Sequence, residues 1–149
     1  MYGDTTVISH LARELRDRAT DIRTEADHLV ARADSVPWSG LAADALRRRT
    51  HDRAGALRRS AGRHDDAADA LDRHAAEVDR IKDLIAAIER RARTLVDAAR
   101  DRIAEIGHGI LDGLGHALPD AGDELLDRFV PPPPGSREWL RVDLPGLGG

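Results

Sequence analysis

Val36-Pro37-Trp38-Ser39-Gly40-Leu41 is the stretch that decides the fold, because it interrupts two long helical patterns at one point. Pro37 disfavours helical dihedral angles at Val36, and Gly40 lacks the Cβ that restricts other residues. Ser39 can cap the free amides at the start of the helix that follows. We therefore expect a tight turn here, called the elbow, between two helices. Trp38 lies at this turn, where its ring can plug the end of the hairpin core.

The residues before the elbow repeat an apolar pattern with a period of seven. Large apolar residues alternate with alanines at spacings of four and three, which is typical of a heptad seam. The large residues are Ile8, Leu15, Ile22, Leu29 and Val36, and the alanines are Ala12, Ala19, Ala26 and Ala33. The pattern predicts one helix over residues 4–35, which another helix can approach closely because alanine is small.

The same pattern continues after the elbow and predicts a second, longer helix over residues 41–106. One seam position holds Leu57, His64, Leu71, Val78, Ile85, Ala92, Ala99 and Ile106; the other holds Ala54, Ala61, Ala68, Ala75, Lys82, Glu89, Val96 and Ile103. A glycine inside a helix costs about 1 kcal/mol relative to alanine, so we expect a bend near residue 62.

The polar seam members are Lys82, Glu89 and His64. We expect Lys82 and Glu89 to set register or partner choice, as polar seam residues do in coiled coils. His64 is either a pH-sensitive register residue or an ordinary hydrogen-bonded histidine.

The second helix is longer than the first, so its distal apolar side needs a cover. Either another chain packs there, or residues 107–130, a glycine-rich apolar segment, fold back on it; that segment could also be flexible. Pro131 to Pro134 predict an extended spacer, and residues 131–149 read as a proline-rich spacer and tail.

Composition excludes several classes of function. The 149 residues include 23 basic and 27 acidic side chains, which interleave and give a net charge of -4, and no cysteine. Disulfides and thiolate metal sites are therefore excluded. No basic region precedes an apolar run at the N-terminus, and no stretch approaches the ~20 apolar residues of a membrane span.

Catalytic and nucleic-acid-binding patterns are also missing from the sequence. The seven histidines contain no pair at i, i+4, and the arginine clusters at 47–49 and 90–93 have acidic neighbours and no interleaved aromatic residues. No nucleophile motif or phosphate-cradling loop is present. We expect no enzyme activity, no cofactor, no metal and no nucleic-acid partner.

Two heptad-patterned helices joined by Trp38-Ser39-Gly40 resemble the WXG family, the small helical hairpins exported by type VII (ESX) secretion systems. The resemblance covers roughly residues 4–106. It implies pairing with itself or with a second WXG-type hairpin into an antiparallel four-helix bundle, with Trp38 and Gly40 beside a groove. It also implies synthesis in the cytoplasm, recognition by the secretion ATPase, and secretion without a cleavable signal peptide.

The family's export signal is Tyr-x-x-x-Asp/Glu beyond the second helix. Trp139-x-x-x-Asp143 has that spacing here, with tryptophan in place of tyrosine. On one helical turn, the ring and the carboxylate would share a face that a receptor could read. The other interpretation is a disordered tail with an isolated tryptophan.

The sequence thus predicts an all-α protein: an antiparallel helical hairpin that dimerises toward a four-helix bundle, with short C-terminal helices or a loop and a proline-rich tail. Its predicted function is that of a secreted substrate or co-secreted partner of a type VII system, acting by protein-protein binding. One alternative is the N-terminal targeting module of a type VII effector or toxin. Another is an intracellular coiled-coil scaffold or chaperone.

Overall fold

A computed structural model describes residues 4–111 and 119–147 of the chain. Within these ranges the elements are α1 (Thr5–Ser35), α2 (Leu41–Leu111), α3 (Ala121–Asp127) and a 3-10 helix (Arg137–Arg141). The described residues contain no strand. The prediction of an all-α protein with two long helices, the second longer, is therefore confirmed.

Local chemistry explains where the two long helices begin and end. The Asp4 side chain caps α1 by accepting a 3.0 Å hydrogen bond from the Thr6 amide. α1 ends at Ser35 because Val36, before proline, is extended, with φ -72° and ψ 121°. α2 begins at Leu41 and runs through Gly62 without interruption.

The predicted end of the second helix at residue 106 is wrong. α2 continues to Leu111 and includes Gly107. A single glycine costs a helix only about 1 kcal/mol relative to alanine, so it weakens a long helix without ending it.

The chain divides into two compact units, and the boundary lies inside α2. The hairpin unit comprises Asp4–Glu77, and the C-terminal unit contains the chain from Val78 onward. The C-terminal unit includes the distal part of α2 because residues 119–147 pack on α2 from Ile81 onward.

Buried alanines join α1 to α2 in the hairpin unit. Ion pairs across the two helices set an antiparallel register: Arg16 with Asp69 and Asp72, Arg23 with Asp65, and Asp27 with Arg58. His51 Nε2 lies 3.5 Å from Asp34 in the same register. That register places Ala12 opposite Ala75, Ala19 opposite Ala68, Ala26 opposite Ala61, and Ala33 opposite Ala54. All eight alanines are buried, which identifies them as the contact surface between the helices.

The C-terminal unit has a core of larger side chains. Its buried members are Ile85, Ala92, Val96, Ala99, Leu126, Trp139 and Leu144, flanked by partly buried Ile81, Ile88, Leu95, Phe129, Val142 and Leu147. Residues 119–147 thus fold back on α2. The interpretation of residues 131–149 as a spacer and tail missed this packing, which the structure describes as far as residue 147.

Candidate interaction surfaces

The elbow is held by backbone and arginine hydrogen bonds. The Trp38 amide donates to the Val36 carbonyl at 2.8 Å. Arg47 Nη2 donates to the carbonyls of Val36 and Trp38 at 3.1 and 2.8 Å. Gly40 has φ +100°, a conformation that L side chains rarely adopt. Gly40 also directly precedes α2, so Ser39 lies one residue too early to be its N-cap.

Trp38 is only half buried at the elbow. Its side chain is 49% exposed, and its neighbours Val36 and Leu41 are 42% and 89% exposed. Three large apolar side chains therefore lie at the surface within six residues of sequence, which makes the elbow a candidate contact surface.

The alanine seam has one charged side and one apolar side. Residues four positions after a seam alanine lie on one side of it, and these include Arg16, Arg23, Arg58 and Asp65, which form the cross-helix ion pairs. Residues three positions after a seam alanine lie on the other side. Most of these are large and apolar.

We call this second side the open face. Its residues form three layers in the antiparallel register: Leu15 opposite Leu71, Ile22 opposite His64, and Leu29 opposite Leu57. All six side chains are partly exposed, whereas the adjoining alanines are buried. The open face therefore presents large side chains that the hairpin unit covers only in part.

His64 is the polar member of the middle layer. Its Nδ1 lies 2.9 Å from the Ser60 carbonyl oxygen, one turn earlier in α2, and its side chain is partly exposed. This hydrogen bond fits the ordinary interpretation of the residue. A role in setting register in response to pH stays a prediction.

Glu89 contacts the chain's own C-terminal segment. Its side chain is only 12% exposed and lies 3.6 Å from Arg93. Glu89 Oε1 accepts a 2.6 Å hydrogen bond from the Gly135 amide. Glu89 thus anchors the segment after the prolines, a role that the sequence prediction of a partner-selecting residue missed.

Lys82 lies 3.6 Å from Asp79 on the same helix.

Trp139 and Asp143 do not share a helical face. The 3-10 helix ends at Arg141, and Val142 is extended with φ -69° and ψ 123°. Trp139 is 2% exposed, whereas Asp143 is exposed. The prediction that one helical turn presents both groups to a receptor is therefore wrong for this conformation of the chain.

Several contacts hold Trp139 in the core of the C-terminal unit. Its Nε1 donates to the Pro133 carbonyl at 3.0 Å, and its ring lies 6.2 Å from that of Phe129 at an interplanar angle of 59°. Arg91 Nη2 donates to the Gly146 carbonyl at 2.7 Å. The C-terminal segment is thus fixed to α2 by apolar packing and by hydrogen bonds.

α3 is fixed to α2 by charge. Arg102 Nε donates to both carboxylate oxygens of Asp123, at 3.1 and 3.0 Å, and Arg100 Nε donates to Asp127 at 3.2 Å. Asp123 is 8% exposed. The hydrogen bonds from Arg102 lower the pKa of Asp123, against the opposing effect of desolvation, and the same pair raises the pKa of Arg102.

The structure gives little support to a metal site. Two Glu-x-x-His pairs, Glu25 with His28 and Glu105 with His108, have a spacing that occurs in carboxylate metal sites, which the sequence reasoning overlooked. All four residues are exposed. No group of three potential ligands is found among the residues that the structure describes.

Among the described residues, no helix is both long and apolar enough to cross a membrane. Comparison of the chain with protein-family models, curated proteins and solved structures finds no match.

Proposed function

We propose that this chain acts by protein-protein binding through its hairpin unit, as a secreted substrate or co-secreted partner of a type VII secretion system. The observation that carries the proposal is the asymmetry of the hairpin. Its ion pairs lie on one side of the alanine seam, and four partly exposed leucines lie on the other with Ile22 and His64. A second hairpin laid on the open face would bury those side chains in a four-helix bundle.

The elbow supports the same function. Trp38 is exposed enough to contact another protein, and Arg47 fixes the backbone that presents it. Tryptophan offers a large apolar surface and one N-H donor, a combination common at the energetic centres of interfaces. In this proposal, the elbow borders the surface that the secretion machinery recognises.

The buried state of Trp139 limits how an export signal at Trp139 and Asp143 would work. A receptor that reads the indole ring must meet a chain whose C-terminal segment has left α2. A receptor that reads only Asp143 meets an exposed carboxylate without that step. Export through this signal would therefore compete with the packing of residues 129–147.

The test is export from a bacterium with an active type VII system, with the chain quantified in culture medium and in cells. We expect Trp38→Ala to reduce the secreted amount while the cellular amount and helical circular dichroism stay unchanged. Leu84→Ala, at an apolar residue whose exposure of 52% is close to that of Trp38, is the matched control and should be exported normally.

Retention of the wild-type chain in the cells, despite normal export of the system's own substrates, would contradict the proposal. It would favour the intracellular scaffold, because the open face would then serve a partner that stays inside the cell.

A further inference from the structure

The four prolines that follow α3 hold the chain in a polyproline II conformation. Each proline ring fixes φ at about −65°, and each of residues 130–133 precedes a proline, which keeps its ψ in the extended range. The backbone from Phe129 to Pro133 accordingly forms neither helix nor turn. We call residues 130–134 the proline ridge.

A type II turn ends the proline ridge. The Ser136 amide donates to the Pro133 carbonyl at 3.1 Å, and Gly135, the third residue of the turn, has φ +72°. Pro134 is the second residue of this turn, a position whose dihedral angles are close to those of polyproline II. The extended conformation therefore includes Pro134.

Exposure along the proline ridge follows the three-residue period of polyproline II. Side chains three residues apart share an edge of such a helix. The third edge contains Pro132 and, three residues earlier, Phe129; both are partly buried, and Phe129 packs against the core of the C-terminal unit. The other two edges are exposed, and they contain Val130 with Pro133 and Pro131 with Pro134. The chain thus keeps one edge on its own core and presents two edges to solvent.

Hydrogen bonds and ring packing fix the proline ridge on α2. Trp139 Nε1 donates to the Pro133 carbonyl at 3.0 Å, and the Gly135 amide donates to Glu89 Oε1 at 2.6 Å. The Phe129 ring lies 6.2 Å from the Trp139 ring. A segment held in this way loses little conformational entropy when a partner binds it.

An exposed cation lies beside the proline ridge. Arg128 is three residues before Pro131, and Pro134 is three residues after it, which gives the pattern Arg-x-x-Pro-x-x-Pro. The Arg128 side chain is 79% exposed and lies 3.5 Å from the half-exposed Glu124. A surface pair of this kind is worth about 0–1 kcal/mol, so the guanidinium can exchange this carboxylate for one on a partner at little cost.

We propose that the proline ridge is the ligand of a protein domain of the SH3 type. The two exposed edges enter the aromatic-lined groove with which such domains bind polyproline II segments, and Arg128 pairs with acidic residues beside that groove. The C-terminal unit stays folded in the complex, because the third edge remains on the chain's own core. This inference goes beyond the proposed function, since it involves neither the hairpin unit nor secretion.

Titration of the full-length chain with a panel of purified SH3 domains, by calorimetry, tests the proposal. Val130→Asp and Pro134→Ala change the exposed edges and should each weaken binding at least about tenfold. Pro132→Ala is the matched control, because it also removes one proline but from the edge that faces the core. It should weaken binding less than about threefold.

A second pair of variants tests the role of charge. Arg128→Gln should weaken binding about 5–10-fold and should reduce its dependence on salt concentration, because one ion pair with the partner is lost. Arg141→Gln, at another exposed arginine of the C-terminal unit, is the control and should bind like the wild type. Circular dichroism of each variant should match that of the wild-type chain.

Three results would overturn the proposal. The first is that no domain of the panel binds the full-length chain. The second is an equal loss of binding in Pro132→Ala and Pro134→Ala, which would show that the exposed edges are not the contact. The third is binding of a synthetic peptide of residues 127–137 by a domain that does not bind the full-length chain, which would show that the folded protein does not present the proline ridge.

Discussion

Replacement of Trp139 by alanine should detach the C-terminal segment from α2. Trp139 is 2% exposed and is among the largest fully buried side chains in the described residues. Truncation of a buried tryptophan to alanine costs about 3–5 kcal/mol, because transfer energy is lost and a cavity remains. The donor to the Pro133 carbonyl disappears as well. Trp139 packs in the core that joins the C-terminal segment to α2, so we expect the loss to fall on residues 129–147.

Amide hydrogen exchange can measure this effect. A loss of about 3–5 kcal/mol in local stability corresponds to exchange about 10²–10⁴-fold faster for amides of residues 129–147, since each 1.4 kcal/mol is about tenfold. The hairpin unit has its own alanine seam, so protection of α1 should stay unchanged. Trp38→Ala is the matched control, because its ring is half exposed. We expect it to cost less than about 1 kcal/mol and to leave the C-terminal segment protected.

Two results would refute this reasoning. Equal destabilisation by Trp38→Ala and Trp139→Ala would show that burial does not distinguish the two rings. Unchanged exchange of residues 129–147 in Trp139→Ala would show that the indole ring does not hold the segment on α2. Tryptophan emission gives an independent check: Trp38→Phe should leave a blue-shifted spectrum from Trp139, and Trp139→Phe a red-shifted one from Trp38.

Further predictions concern the seam, the α3 ion pair and the elbow. Ala26→Leu overpacks a fully buried position and should destabilise the chain by about 1–3 kcal/mol in urea unfolding. Ala31→Leu, at an exposed position, should change stability by less than about 0.5 kcal/mol. Equal effects of the two substitutions would contradict the alanine register. The pKa of Asp123 is lowered from its ordinary 3.8, so the ionised carboxylate stabilises the folded chain above that pH, and this contribution is lost as pH falls through the folded-state value. Asp123→Asn should therefore unfold at lower urea than the wild type at pH 7, with a difference that shrinks toward pH 3; a difference independent of pH would disprove the linkage. Gly40→Ala should cost about 1–2 kcal/mol through strain at φ +100°, whereas Gly62→Ala, with open space around its Cβ in a helix, should stabilise by about 0.5–1 kcal/mol. Thermal unfolding compares the two, and a shift of the same sign would be inconsistent with their backbone assignments.

The two long helices were predictable because their evidence is local and repeated. The period of seven marks the seam, and Pro37 with Gly40 marks its interruption. The extension of α2 beyond residue 106 is not predicted because a glycine-rich segment follows, although a helix tolerates single glycines at a modest cost. Whether a long helix continues past a glycine depends more on the length and packing of the helix than on that one residue.

The C-terminal unit was harder to predict because its contacts follow no period and several of them join residues distant in sequence. Glu89 accepts a hydrogen bond from the backbone of Gly135, and Trp139 donates to a carbonyl six residues earlier. Neither contact has a sequence pattern. One feature of the sequence does indicate packing here. The segment interpreted as a tail contains one tryptophan and several aliphatic residues, and such side chains are usually buried in a core.

The alanine seam has a consequence for the thermodynamics of unfolding. Alanine buries little apolar area, and the heat-capacity change on unfolding grows with the apolar area that becomes exposed. Unfolding of the hairpin unit should therefore show a heat-capacity change per residue below the ~12–15 cal/mol/K of ordinary globular domains. Its stability curve should accordingly be flatter, with a free energy that varies less between cold and warm conditions than in a domain built on leucine and phenylalanine.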